Sequence, residues 1–146
     1  GNDEGQRADV RAWLGEAGDR WKIAFGHHPY LSNGPHGNAG NYEGLSFLPL
    51  VNGRNVEDFM NEEVCGNFDL YLCGHDHSRQ DLGRVCGTEF LVSGAGAKTT
   101  DLEGDNPNHF ESDVEGFLLV EAWERRLVLK FYRHDGELEH TREIRR

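Results

Sequence analysis

Two Gly-His elements, Gly26-His27-His28-Pro29 and Gly74-His75-Asp76-His77, each close a short run of strand-forming residues, and that pairing constrains the fold more than any other feature of the chain. The runs are Trp21-Lys22-Ile23-Ala24-Phe25 and Phe68-Asp69-Leu70-Tyr71-Leu72-Cys73. Both are apolar, rich in strand formers and cut off by glycine, the pattern of a buried strand entering a tight loop. The imidazoles are therefore expected at a sheet edge. In open α/β sheets, that edge, outside the carboxyl ends of the strands, is where ligands bind. A glycine ahead of each histidine lets the backbone turn sharply and leaves room beside the loop.

A single histidine after a strand is ordinarily a satisfied core or surface residue. Two such elements at matched strand ends read instead as metal ligands, because imidazole suits zinc, iron and copper and is largely neutral near pH 7. His75 and His77, one residue apart, can diverge from one turn toward two neighbouring points. A metallo-β-lactamase arrangement needs a further Asp-His pair directly after His77, and Ser78-Arg79-Gln80 stands there. His28 is expected to point away from its neighbour, toward the rim, and Asp76 to hydrogen-bond the backbone of its own turn.

Around these elements the chain alternates helix and strand signals, then turns to strands. Val10, Trp13, Leu14 and Ala17 recur at helical spacing and predict a helix from Asp9 to Ala17, with Gly18 as its stop. Residues 31–55 are rich in Gly, Asn, Ser and Pro and read as a long loop, with Leu45 to Val51 as a turn of helix inside it. Val56 to Val64 predicts a second helix. Asp81–Val85, Thr88–Ser93, Gly116–Ala122, Leu127–Arg133 and Leu138–Ile144 read as an antiparallel meander, with Asp135-Gly136 its clearest hairpin turn. The polar stretch from Lys98 to Asp113 is expected to be a second loop, and His134 and His140 to be solvated.

With 146 residues the chain is expected to form one domain with a single modest core. Its 26 acidic against 15 basic residues give a formal charge of −11, which repels a nucleic-acid backbone and argues against polyanion partners. No stretch reads as a membrane span. Cys65 and Cys86 flank the second strand and leave open whether they pair; a disulfide there favours an extracytoplasmic compartment, secreted or periplasmic. Cys73 reads as a small buried hydrophobe.

Taken in order, Gly26-His27-His28-Pro29, Tyr71-Leu72-Cys73-Gly74-His75-Asp76-His77 and Leu91-Val92-Ser93-Gly94-Ala95-Gly96 resemble the C-terminal half of the calcineurin-like metallophosphoesterases, specifically the purple, tartrate-resistant acid phosphatases. The resemblance runs from about Trp13 to the C-terminus. It implies that residues 1–146 form a single partial domain, the C-terminal half of a four-layer α/β/β/α sandwich ending in an antiparallel strand meander. It also implies a dinuclear centre of iron, zinc or manganese, with His27 and His75 on one ion and His77 on the other. His36, nine positions after His27, matches a family histidine that contacts the phosphate. The implied chemistry is metal-dependent hydrolysis of phosphate monoesters.

The departures are as informative. The family's three upstream motifs, which carry the bridging aspartate and other carboxylate and amide ligands, have no match. Gly18-Asp19-Arg20-Trp21 imitates one but precedes a strand instead of following it, and Gly1-Asn2-Asp3 imitates another but lacks its histidine. Three histidines shared by two ions leave both under-coordinated. The expectation is half of an active site, inactive alone, whose partners are a phosphate monoester and the missing N-terminal half of the same domain. The competing readings are a non-catalytic metal-binding remnant or interaction module, and a phosphodiesterase of the same superfamily.

Overall fold

Alternation of apolar side chains along two adjacent strands organises the core. Leu70 and Leu91 face one way, and Tyr71, Cys73, Phe90 and Val92 face the other, so a single sheet divides two hydrophobic clusters. This computed structural model describes residues 4–48 and 51–146. The Gly1-Asn2-Asp3 imitation and Pro49–Leu50 of the expected helical turn lie outside the described residues, and the rest of that turn is irregular.

The first sheet contains β1 (Ile23–Phe25), β2 (Leu70–Cys73), β3 (Arg79–Val85), β4 (Thr88–Ser93) and β5 (Phe110–Ser112), in the order β1-β2-β4-β3-β5. β1, β2 and β4 run parallel, while β3 is antiparallel to both β4 and β5. The second sheet is the antiparallel meander β6 (Gly116–Trp123), β7 (Arg126–Arg133) and β8 (Leu138–Arg145). On the other side of the first sheet lie α1 (Glu4–Ala17) and α2 (Arg54–Phe59), the latter continuing as a π-helical turn over Met60–Val64. Among the described residues this gives three layers: helices, mixed sheet, antiparallel sheet.

Two expectations need correction. Neither Asp81–Val85, which lies in β3 of the mixed sheet, nor Thr88–Ser93 belongs to the meander. The residues of Thr88–Ser93 up to Val92 are buried, and it is the central strand of the mixed sheet, parallel to β2; a strand buried on both faces loses the polar alternation that marks a meander. The stretch from Lys98 to Asp113 is not loop throughout, because Phe110–Ser112 pairs with Arg79–Asp81 as a short edge strand.

The two sheets are joined by apolar packing and two arginines. Leu70 and Leu91 meet Leu127, Leu129, Phe131 and Ile144. Fully buried Arg79 donates to the Val114 and Tyr132 carbonyls at 3.0 and 2.9 Å, to Ser112 Oγ at 2.8 Å and to Glu139 Oε2 at 2.5 Å. Arg142 of β8 forks onto both oxygens of buried Asp81, each at 2.7 Å, and reaches Glu89 at 2.8 Å. His140 is not solvated as expected: it stacks on Phe110 with centroids 5.1 Å apart and brings Nε2 to 3.4 Å from Asp81. On the helix side, a Cys65–Cys86 disulfide ties the end of the π-helical turn to the β3–β4 hairpin.

β1 and β6 stand at the ends of their sheets, and a cavity of about 460 Å³ opens between them, lined by Ile23, Phe25, Leu72, Leu118 and Val120. Phe25 is 79% exposed there. If the inter-sheet cluster carries the stability, Leu129→Ala should lower the unfolding free energy of the chain by about 2–5 kcal/mol in urea titrations, whereas Leu119→Ala on the outer face should change it by about 0.5 kcal/mol or less.

Candidate metal centre

Because β1 and β2 are parallel and paired with Phe25 opposite Leu72, their carboxyl ends release the chain at the same level of the sheet. Gly26 and Gly74 follow at once, and Gly94 follows β4. Gly26 and Gly94 are there for space. A Cβ on Gly26 would lie 2.0 Å from the Tyr71 hydroxyl, and one on Gly94 would lie 2.0 Å from the Asp76 carbonyl oxygen. The Gly26-His27-His28-Pro29 segment is held from beneath by two tyrosines: Tyr71 donates to the His28 carbonyl at 2.8 Å and Tyr42 donates to the Pro29 carbonyl.

The structure brings together His27, His28 and His75, whose donor atoms all lie within 4.8 Å of one another. His27 Nε2 and His75 Nδ1 are 3.0 Å apart, and the His28 ring centroid is 4.7 Å from that of His75. His75 reaches this position with φ of 67°, a left-handed backbone that non-glycine residues rarely adopt and that concentrates at functional sites. His36 joins from the long loop, its ring 4.1 Å from that of His75. His77 stands outside the group; its carbonyl accepts from the Thr100 N–H at 3.0 Å.

Two sequence expectations about neighbouring residues are corrected. His28 does not point away from His27. Strand alternation ends at Phe25, and in the bend that follows both rings turn to one point. Asp76 does not serve its own turn. It is fully buried, and Oδ1 accepts the His36 N–H at 3.2 Å, linking the two loops, while Oδ2 has no partner. Gly34 makes that approach possible, since a Cβ there would lie 2.5 Å from the Asp76 carboxyl carbon.

Polar contacts also fix the loops that frame the site. Asn33 donates its main-chain N–H to Gln80 at 2.8 Å and its amide to Glu111 at 2.7 Å, and its Oδ1 accepts from the Asn106 N–H at 2.7 Å. Nothing in the residue pattern distinguished these amides from ordinary loop composition.

Burial, reinforced by the neighbouring His36, His28 and His27, pushes His75 down to about 4, partly opposed by Asp76. Burial and the same kind of crowding lower His28. Both rings are thus neutral donors at pH 7, the state a metal requires. Three imidazoles suit one borderline ion such as zinc. No carboxylate belongs to the group among the described residues, so the bridging oxygen ligands of an ion pair are not supplied by it.

No family model matches the chain. It is similar to Purple acid phosphatase 3 of Arabidopsis thaliana, 32% identical over 135 residues, which is 87% of this chain and 33% of that protein. Purple acid phosphatase 17 of the same plant is 31% identical, over 90% of this chain and 37% of that protein. The chain thus spans about a third of the length of these curated relatives. Among solved structures, the yellow lupin purple acid phosphatase PPD1 superposes with a TM-score of 0.70 at 18% identity, over 97% of this chain and 28% of that one. The Plasmodium protein GAP50, described as the anchor in the inner membrane complex, gives the same TM-score at 19% identity, over 96% and 41%. These two likenesses concern the fold.

The lowered His75 makes a pH prediction. Unfolded histidine takes up a proton near pH 6.5, while folded His75 resists until about 4, so between these values the unfolded state binds more protons and stability falls as pH drops. In the metal-free chain, the His75 ring should keep neutral NMR shifts down to about pH 5, and His75→Gln should flatten the loss of stability across that window.

Proposed function

We propose, from the premise that this chain belongs to the purple acid phosphatase group of the calcineurin-like metallophosphoesterases, that it contributes one face of a dinuclear metal centre that hydrolyses phosphate monoesters. The observation that carries the reading is the convergence of His27 and His75 at the carboxyl ends of two parallel strands, with His36 arriving from a third segment. Two of the family ligand positions and its phosphate-contacting histidine meet at one corner.

In this reading His27 and His75 hold one ion, with His28 beside them, and His77 serves the second. Bound ions, iron, zinc or manganese, supply Lewis acidity toward the phosphoryl group and an activated water. His36 orients the ester and hands its proton to the oxygen of the departing alcohol as the P–O bond breaks. The absence of a carboxylate from the imidazole group supports a further partner: the remainder of the same domain, carrying the bridging ligands. The open edges at β1 and β6 and the apolar cavity between them are where such a segment would seat. The missing carboxylates are also what favours the second reading, a non-catalytic metal-binding module. The Cys65–Cys86 disulfide supports an extracytoplasmic location, and no described helix is long and apolar enough to cross a membrane.

The 146-residue chain alone should hydrolyse p-nitrophenyl phosphate poorly even with metal, and turnover should rise when the upstream segment is supplied. Robust turnover by the chain alone would overturn the half-site reading, and none with the segment present would favour the non-catalytic one. In the competent protein, His36→Asn should slow an alkyl phosphate by about 100-fold or more and a nitrophenyl ester far less, because a good leaving group needs no proton. Equal losses on both would remove His36 from proton transfer.

A further inference from the structure

Glu43 lies outside the imidazole group, and it is held in an unusual state. It sits in the 3₁₀ turn Tyr42–Gly44 with φ of 54°, left-handed backbone at a residue that gains nothing from it as a surface glutamate. That conformation serves two contacts with one residue. The Glu43 N–H donates to the His36 carbonyl at 2.9 Å, and the Glu43 carboxylate lies 3.0 Å from His36 Nδ1. On the opposite side, His36 Nε2 faces the site, 4.0 Å from Asp76 Oδ1 and beside the His75 ring. An exposed ion pair alone would hold little. Here the backbone bond fixes the distance between the two residues, so the side-chain contact does not have to order two free chains.

We infer that Glu43 is the positioning residue for His36: its carboxylate accepts the Nδ1–H, which fixes the ring orientation and tautomer and leaves Nε2 directed at the site. The inference rests on the reading of His36 as proton donor. In the reaction, Nε2–H gives its proton to the alcohol oxygen, which keeps the electron pair of the broken P–O bond, and the ring is left neutral with Nδ1–H still on Glu43. A carboxylate behind an imidazole is the arrangement that holds a donor ring in one tautomer elsewhere in catalysis.

Glycine adopts the Glu43 backbone conformation freely, so Glu43→Gly deletes the carboxylate without disturbing the turn, and Glu43→Gln retains an accepting oxygen without the charge. Histidine ¹⁵N correlations on the 146-residue chain with chelator, at about pH 8.5 where an ordinary imidazole is neutral, read the tautomer directly, with His36→Asn assigning the signal. His36 should be Nδ1–H in the parent and in E43Q, and shift toward Nε2–H in E43G. In the turnover-competent protein, E43G should lower kcat for an alkyl phosphate about tenfold with KM unchanged, and should add nothing to His36→Asn. An Nε2–H ring in the parent, or a ring and kcat unchanged in E43G while the parent turns over, overturns the inference. A parent without turnover overturns the phosphatase reading instead, whatever the tautomer.

Discussion

The parallel register of β1, β2 and β4 is the constraint on which the rest depends. With Phe25 opposite Leu72 and Cys73 opposite Val92, three strands end side by side, and two of the glycines that follow them, Gly26 and Gly94, are packed too closely for any side chain. The histidines gain their proximity from that register. A slip of one residue would exchange the two faces of β2 and send Tyr71, which supports His28, into the space between the sheets. Two arginines act on the same constraint from a distance, since buried Arg79 and half-buried Arg142 anchor β3 to the second sheet and so hold the mixed sheet in place.

Much of this was legible in the residue pattern. Glycine-terminated apolar runs led directly to the corner where His27 and His75 meet, and helical spacing located both helices, although α1 starts earlier, at Glu4, and the second helix ends as a π-helical turn. What escaped has identifiable causes. His28 turns toward His27 because the strand ends at Phe25, three residues earlier, and alternation no longer sets its direction. β5 was hidden because a strand of three residues at a polar edge leaves no periodic signal. The parallel placement of β4 was hidden because it is buried on both faces. Asp76, expected to serve its own turn, and Glu43, which the pattern did not single out, both act on His36, 40 and 7 residues away, respectively, in sequence.

The site also shows how a surface with this much negative charge accommodates basic groups. Four histidines, His27, His28, His36 and His75, crowd together, and burial, reinforced by that crowding, lowers His28 and His75. Two carboxylates flank His36, and among the described residues none joins the His27–His28–His75 group. The corner therefore sets a carboxylate-flanked imidazole, His36, directly beside the His27–His28–His75 group.

The connectivity of the two sheets sets an order of assembly. The β6–β7–β8 sheet joins consecutive strands through tight turns, so its contacts are local in the chain. The first sheet pairs Ile23 with Leu70 across the whole of the long loop and both helical turns. Local pairings form early and distant ones late, because the entropy of closing the intervening chain must be overcome first. The meander is then a preformed platform, and β1, with the first two histidines at its end, is the last strand to arrive. An ion held between His27 and His75 would bridge that final closure, so metal availability during folding, and not only afterwards, would govern how much of the chain reaches its native corner.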